Sequence, residues 1–245
     1  MIAALTPLEL FLCLAAPFIG SWVATLSRAW PQLPTQLARS VCDACQVSIP
    51  SWRMVPVLSF LSQQGRCHRC DAPISALHPI GELACLLGAG TAVLVADGAS
   101  AVAGCALAWL LVYASLVDAR TLQLPDWSSA SIAVLGAGLA LSSSLGVFVA
   151  ALGGALIAGA LLLGLRAGWR KVSGREALGL GDVKLSAACA FWLSPMDLAP
   201  AIALGGIVTL LAIMIRGDRE RPIAFGPGLA FGFFMMWALP ISRII

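Results

Sequence analysis

Eight apolar runs, each close to the length of a bilayer crossing, decide what this chain can fold into. They lie at roughly 6–27, 77–96, 99–117, 127–145, 147–165, 178–195, 198–215 and 223–241, where about 20 residues make one crossing. Of the 245 residues 60% are hydrophobic and 11% charged, against about 25% charge in an average soluble domain. That excludes a soluble globular enzyme. It excludes disorder as well, which needs low hydrophobicity and high charge. The runs are continuous and do not alternate apolar with polar residues, so a transmembrane β-barrel is excluded. The expected fold is an all-α polytopic membrane protein of about eight transmembrane helices.

The cations set its orientation. Between the first two runs lies a polar stretch, residues 28–76, with Arg28, Arg39, Arg53, Arg66 and Arg69. Arg120 follows the third run; Arg166, Arg170, Lys171 and Arg175 follow the fifth; Arg216, Arg219 and Arg221 follow the seventh. Thirteen of the fifteen Lys and Arg residues thus fall in alternate connections that share one side, Lys184 and Arg243 being the others. Cytoplasmic connections are enriched in Lys and Arg, which makes that side the cytoplasm and both termini periplasmic. The first run has no basic stretch before it and is not expected to be a cleaved signal. No repeat of fixed period is visible. Gly153, Gly154, Gly159 and Gly164 in the fifth run are expected to pack closely against another helix, as small residues do in membranes.

The polar stretch reads Cys42-Asp-Ala-Cys45, 21 residues, then Cys67-His-Arg-Cys70. Two CxxC pairs at such a separation are a zinc-ribbon signal. Each turn aims two thiolates at one point, and two turns close a tetrahedron with no open position, so the zinc is structural. The cytoplasm keeps thiols reduced, which disfavours two disulfides. The segment between the pairs is not expected to build a core of its own, and a metal supplies the missing folding free energy. His68 reads as a solvated loop residue. Cys13, Cys85, Cys105 and Cys189 lie in apolar runs and read as small packing residues. The expected organisation is a first transmembrane helix over 1–27, a cytoplasmic zinc-ribbon-like loop over 28–76 and a transmembrane core over 77–245.

Among the twelve acids, Asp118 at the cytoplasmic end of the third run and Asp182 at the cytoplasmic start of the sixth stand out. An ionisable group at membrane depth is a functional candidate by default. The two share depth and side, and apposed carboxylates form an acid/base pair able to share one proton. Gly179 and Gly181 just before Asp182 permit close backbone approach. The structural alternatives stay open: Asp118 as a helix end, Asp182 as an acid favoured by a helix N-terminus. Asp126, after Pro125, is expected to cap the fourth helix. Glu82, one turn into the second run, stands equally between functional and structural readings.

These residues, in this order, resemble the bacterial type IV prepilin peptidases, polytopic aspartic proteases with a GxGD motif. The resemblance covers nearly the whole chain. It rests on Gly20-Ser21, the paired CxxC loop, Pro56–Leu61, Gly65–Cys70, Ile74-Ser75, Pro79–Leu83, Asp118 with Leu124-Pro125-Asp126, Gly179–Leu185 and Phe225-Gly226-Pro227. It implies an inner-membrane enzyme that removes the leader of type 4 prepilins and type II secretion pseudopilins at the cytoplasmic face. It also implies methylation of the new N-terminus with S-adenosylmethionine. Asp118 and Asp182 are then the catalytic pair, and Cys42, Cys45, Cys67 and Cys70 the zinc ligands. The chain departs from the family at Ala24, at Arg53-Met54 and at His78. No glycine-rich nucleotide loop in a βαβ setting is present; Glu82 is the one candidate toward S-adenosylmethionine. The expected partners are prepilins and the lipid bilayer, not nucleic acid. A membrane transporter, or a secretion-system scaffold with a structural zinc loop, is the competing reading.

Overall fold

In the computed structural model the described residues are 5–32, 40–174, 176, 178–217 and 223–240. Arg39, Arg175, Arg219, Arg221 and Arg243, used above for orientation, lie outside them. The described residues are helical apart from turns and two isolated bridges in the cysteine loop. Two compact units divide the chain, Met1–Leu116 and Val117–Ile245.

The first unit holds helix α1 (Pro7–Ala29), a 3-10 turn (Ser51–Met54), α2 (Leu58–Ser62), α3 (Leu77–Val95) and most of α4 (Gly98–Thr121). Helix α1 starts where Thr6 and Glu9 cap each other: the Thr6 hydroxyl accepts from the Glu9 N–H, and the Glu9 carboxylate accepts from the Thr6 N–H. That reciprocal pair satisfies two orphan donors at once. Helices α1 and α3 pack through glycine. A Cβ added at Gly20 would come within 2.8 Å of the Glu82 nitrogen, and one at Gly88 within 2.6 Å of the Ala108 Cβ on α4. With lipid outside as apolar as the interior, such close backbone contact is what holds membrane helices together.

The second unit holds the end of α4, then α5 (Asp126–Ser143), α6 (Leu145–Ser173), α7 (Leu180–Cys189), α8 (Pro195–Arg216) and α9 (Gly226–Ala238). Helix α5 packs on α6 and α7, and α9 on α8 and α7. Each of the eight expected runs appears as a helix. Five of them (α1, α3, α4, α6 and α8) are long and apolar enough to cross a membrane. Helices α7 and α9 have 10 and 13 residues, about 15 and 20 Å at 1.5 Å per residue, short of the roughly 30 Å apolar core. The run over 178–195 spends its last residues on a turn, where the Trp192 indole donates to the Ile132 carbonyl at 2.8 Å.

Two expectations are corrected. Gly153, Gly154 and Gly164 have nothing within 4 Å of an added Cβ, and Gly159 only an ordinary contact with Ala187. These glycines do not mediate tight packing, because α6 turns most of its surface outward. Close-packed glycines of this unit include Gly136, Gly205, Gly228 and Gly232. Nor does Asp126 cap α5. The cap position is Pro125, with no side-chain cap bond, and Asp126 is the first helical residue. Its carboxylate is drawn off by Lys184 of α7, 2.7 Å away.

Candidate active site and cysteine centre

Asp118 sits in the last turn of α4. The chain then folds back sharply: the Leu122 N–H donates to the Asp118 carbonyl, and Leu122 adopts φ +55°, a left-handed conformation uncommon for a side chain of this size. The Asp118 carboxylate is buried and accepts from the backbone N–H of Gly226 at 2.8 Å. Gly226 is the first residue of α9, so this carboxylate meets the N–H-rich, partly positive end of a helix. Asp182 is the third residue of α7, also buried, and accepts from the Gly179 N–H at 3.2 Å. The segments that carry the two aspartates meet where Leu124 lies on Gly181 and Lys184 pairs with Asp126, and each aspartate is steadied by one backbone N–H. The structural readings hold at the same time, since Asp118 ends a helix and Asp182 caps one.

Three glycines make this arrangement possible. A Cβ at Gly226 would lie 2.7 Å from the Asp118 Oδ2, one at Gly179 2.9 Å from the Asp182 Oδ2, and one at Gly181 2.9 Å from the Leu124 Cβ. Gly181 thus lets the Leu124-Pro125 segment lie directly on the turn that carries Asp182, and the Lys184–Asp126 pair closes the same junction. Arg166 on α6 supports the approach to α7. It pairs with Glu176 at 2.6 Å and donates to the Leu178 carbonyl at 2.9 Å. The part played by Gly226 was not assigned from sequence. A Gly-Pro pair opening an apolar run marks a helix start, but nothing local marks its partner 108 residues away.

In the first unit the sulfurs of Cys42, Cys45, Cys67 and Cys70 lie within 4.8 Å of one another. The Cys42–Cys70 and Cys45–Cys67 separations are 3.8 and 4.0 Å. A tetrahedron with metal–sulfur bonds of about 2.3 Å has edges near 3.8 Å, so the four thiols fit one tetrahedral metal. His68 is not in the group. Each CxxC turn is built alike. The Cys42 N–H donates to the Val47 carbonyl and the Cys67 N–H to that of Ala72; Gln46 donates to Cys42, and Asp71 to Cys67. Gln46 and Asp71 both have positive φ, +56° and +60°. The loop therefore contains a structural duplication that shares little beyond its cysteines in sequence. Backbone N–H groups of Arg69 and Cys70 aimed at Cys67 lower its thiol to about 6. Ala72 pulls on Cys70 in the same sense, but the neighbouring sulfurs of Cys45, Cys67 and Cys42, with burial, push it up to about 12. Arg28 bridges the loop's base, pairing with Asp43 and contacting His78.

Glu82 is buried in α3, and its carboxylate accepts from the backbone N–H of Val57 at 2.7 Å. Val57 has φ +60°. Glu82 therefore pins a bend of the cysteine loop to a membrane helix.

The family model of the bacterial peptidase A24 N-terminal domain matches residues 14–96, and that of the type IV leader peptidase family matches residues 105–215. A prepilin leader peptidase/N-methyltransferase from Aeromonas hydrophila is 35% identical over 225 residues, covering 87% of this chain and 76% of the relative. One of the same name from Pseudomonas aeruginosa is 31% identical, covering 84% and 74%.

The chain belongs to the type IV leader peptidase family.

A relative in Neisseria gonorrhoeae, 31% identical over 78% of this chain, carries the same name. No solved structure matches. Membership of the leader peptidases, together with the apolar helices, places the protein in the bacterial inner membrane. It does not favour the transporter or the scaffold.

Proposed function

We propose that this leader peptidase cuts prepilins through Asp118 and Asp182. The observation that supports it most is the convergence of two buried carboxylates from separate helices, each held by one backbone N–H. In the reaction one carboxylate takes a proton from water, and the oxygen attacks the scissile carbonyl. The other, protonated, donates its proton to the carbonyl oxygen, giving a gem-diol. As the C–N bond breaks, the first carboxyl passes the proton it took from water to the leaving amine, and a gem-diol hydroxyl returns a proton to the second carboxylate as the new acid forms.

The substrates are type 4 prepilins or type II secretion pseudopilins, met at the cytoplasmic face, with both termini of the enzyme periplasmic. The four cysteines hold a structural zinc, whose donor set and sulfur spacing fit. The same protein methylates the new N-terminus with S-adenosylmethionine. Glu82 is the residue nominated toward that cofactor, as the buried carboxylate at the base of the cysteine loop. Incubating the purified protein with a prepilin tests the peptidase: a leader-shortened product is expected, and its absence with both aspartates intact overturns the proposal. Transfer of a labelled methyl group to the shortened product tests the second activity.

A further inference from the structure

We infer that the segment Ser51–Ser62 of the cysteine loop is a membrane-surface anchor, seated at the headgroup boundary of the bilayer. In ten residues it exposes Trp52 (68%), Val55 (37%), Leu58 (67%) and Leu61 (65%). Leu58 and Leu61 are one turn apart on α2 and share a face. Exposed large apolar side chains on spanning helices face lipid; a cluster of them on a polar loop marks an interaction surface.

The depth of the segment identifies what covers it. The Val57 N–H, at its centre, is bonded to Glu82. Glu82 lies in the second turn of the spanning helix α3. It also lies against Gly20 of α1, about nine residues, or roughly 13 Å, inside the end of that spanning helix. Two spanning helices thus place Glu82 within the bilayer, and a 2.7 Å bond leaves Val57 beside it. The residues flanking Val57 must then lie at the boundary between headgroups and acyl chains. Their chemistry suits that place. Trp prefers the interface, and the Arg53 guanidinium stacks 4.4 Å from the Trp52 ring centroid, where it can meet a lipid phosphate while the ring faces the chains. Short amphipathic helices with Trp and Leu on one face lie in this plane.

The test uses the full protein in nanodiscs of phosphatidylcholine and phosphatidylglycerol, some made with lipid brominated near the headgroup end of its chains. Subtracting the emission of Trp52→Phe from that of the unchanged protein isolates Trp52 from the other tryptophans. The expected signal is blue-shifted, loses most of its intensity to brominated lipid and resists aqueous acrylamide. Quenching by acrylamide with no response to bromine overturns the inference. Resistance to both quenchers overturns it too, since a second copy or a polypeptide partner then covers the face. Leu61→Trp, with Trp52 left in place, reads the same face independently and should add a bromine-quenched component; an added component quenched by acrylamide alone counts against the anchor.

Discussion

The cysteine loop and the aspartate site hold chemically similar tasks, fixing negative groups at short range, by opposite means. In the loop, each thiol is placed by backbone hydrogen bonds that reach no more than nine residues along the chain, as from Ile49 to Ser40 and from Ile74 to Gly65. The aspartates are placed by partners on other helices or helix ends, with 108 residues between Asp118 and Gly226. The loop's order is local, with four thiols spaced to take one metal; the aspartate site's order is spread over α4, α7 and α9. Damage to the loop should therefore loosen a segment, whereas damage to the aspartate site should abolish chemistry in a protein that still folds.

Asp118→Asn and Asp182→Asn are the sharpest test of that contrast. Each should lower leader cleavage by roughly 10²- to 10⁴-fold or more, with helical content and membrane insertion unchanged by circular dichroism and fractionation. The double variant should be little worse than either single one, since the two act as a unit. A large further loss in the double variant would mean two independent sites.

Gly226→Ala should come next. Its methyl would lie 2.7 Å from the Asp118 Oδ2 and 3.1 Å from Cγ. A displacement near 1 Å costs about 10²-fold in rate, read as a fall in kcat on a prepilin peptide. Gly168→Ala, in open space on α6, is the matched control and should leave cleavage unchanged.

Cys42→Ser, or a strong chelator, should break the other side of the comparison. Metal content by elemental analysis should fall from about one equivalent per chain, and protease should gain access between residues 40 and 74. Cleavage should fall less than in either aspartate variant. Intact, active protein free of metal would show that the loop's backbone turns suffice alone.

Lys184→Ala and Asp126→Asn should have the smallest effect. Both side chains are largely exposed, and such a pair contributes about 0.2–1 kcal/mol, a rate change below roughly fivefold. A greater loss would show that this junction positions Asp182.

The contrast also explains what the sequence could disclose. Apolar runs located eight of the nine described α-helices, all but the short α2 of the loop, because burial in lipid demands continuous hydrophobicity, and CxxC spacing located the thiols because their geometry is set within a few residues. Hydropathy did not separate a full crossing from the ten-residue α7, since the turn after Cys189 is as apolar as the helix before it. Asp126 had the local signature of a cap, and its actual partner, Lys184, lies 58 residues on. Glycine in α6 looked like a packing motif, yet packing depends on which face a neighbouring helix approaches. The aspartates were legible as rare acids at membrane depth; the donors that hold them were not, being backbone groups with no residue type of their own.

The Gly226–Asp118 bond has a bearing on when the molecule becomes dangerous to its surroundings. During synthesis, Asp118 and Asp182 both leave the ribosome before α9 does. A nascent chain at that stage holds two acidic groups but lacks the N–H that orients one of them. If the pair cuts as proposed, proteolytic competence arrives only as the final described helix settles against the end of α4, and a copy that stops short of α9 cannot cleave.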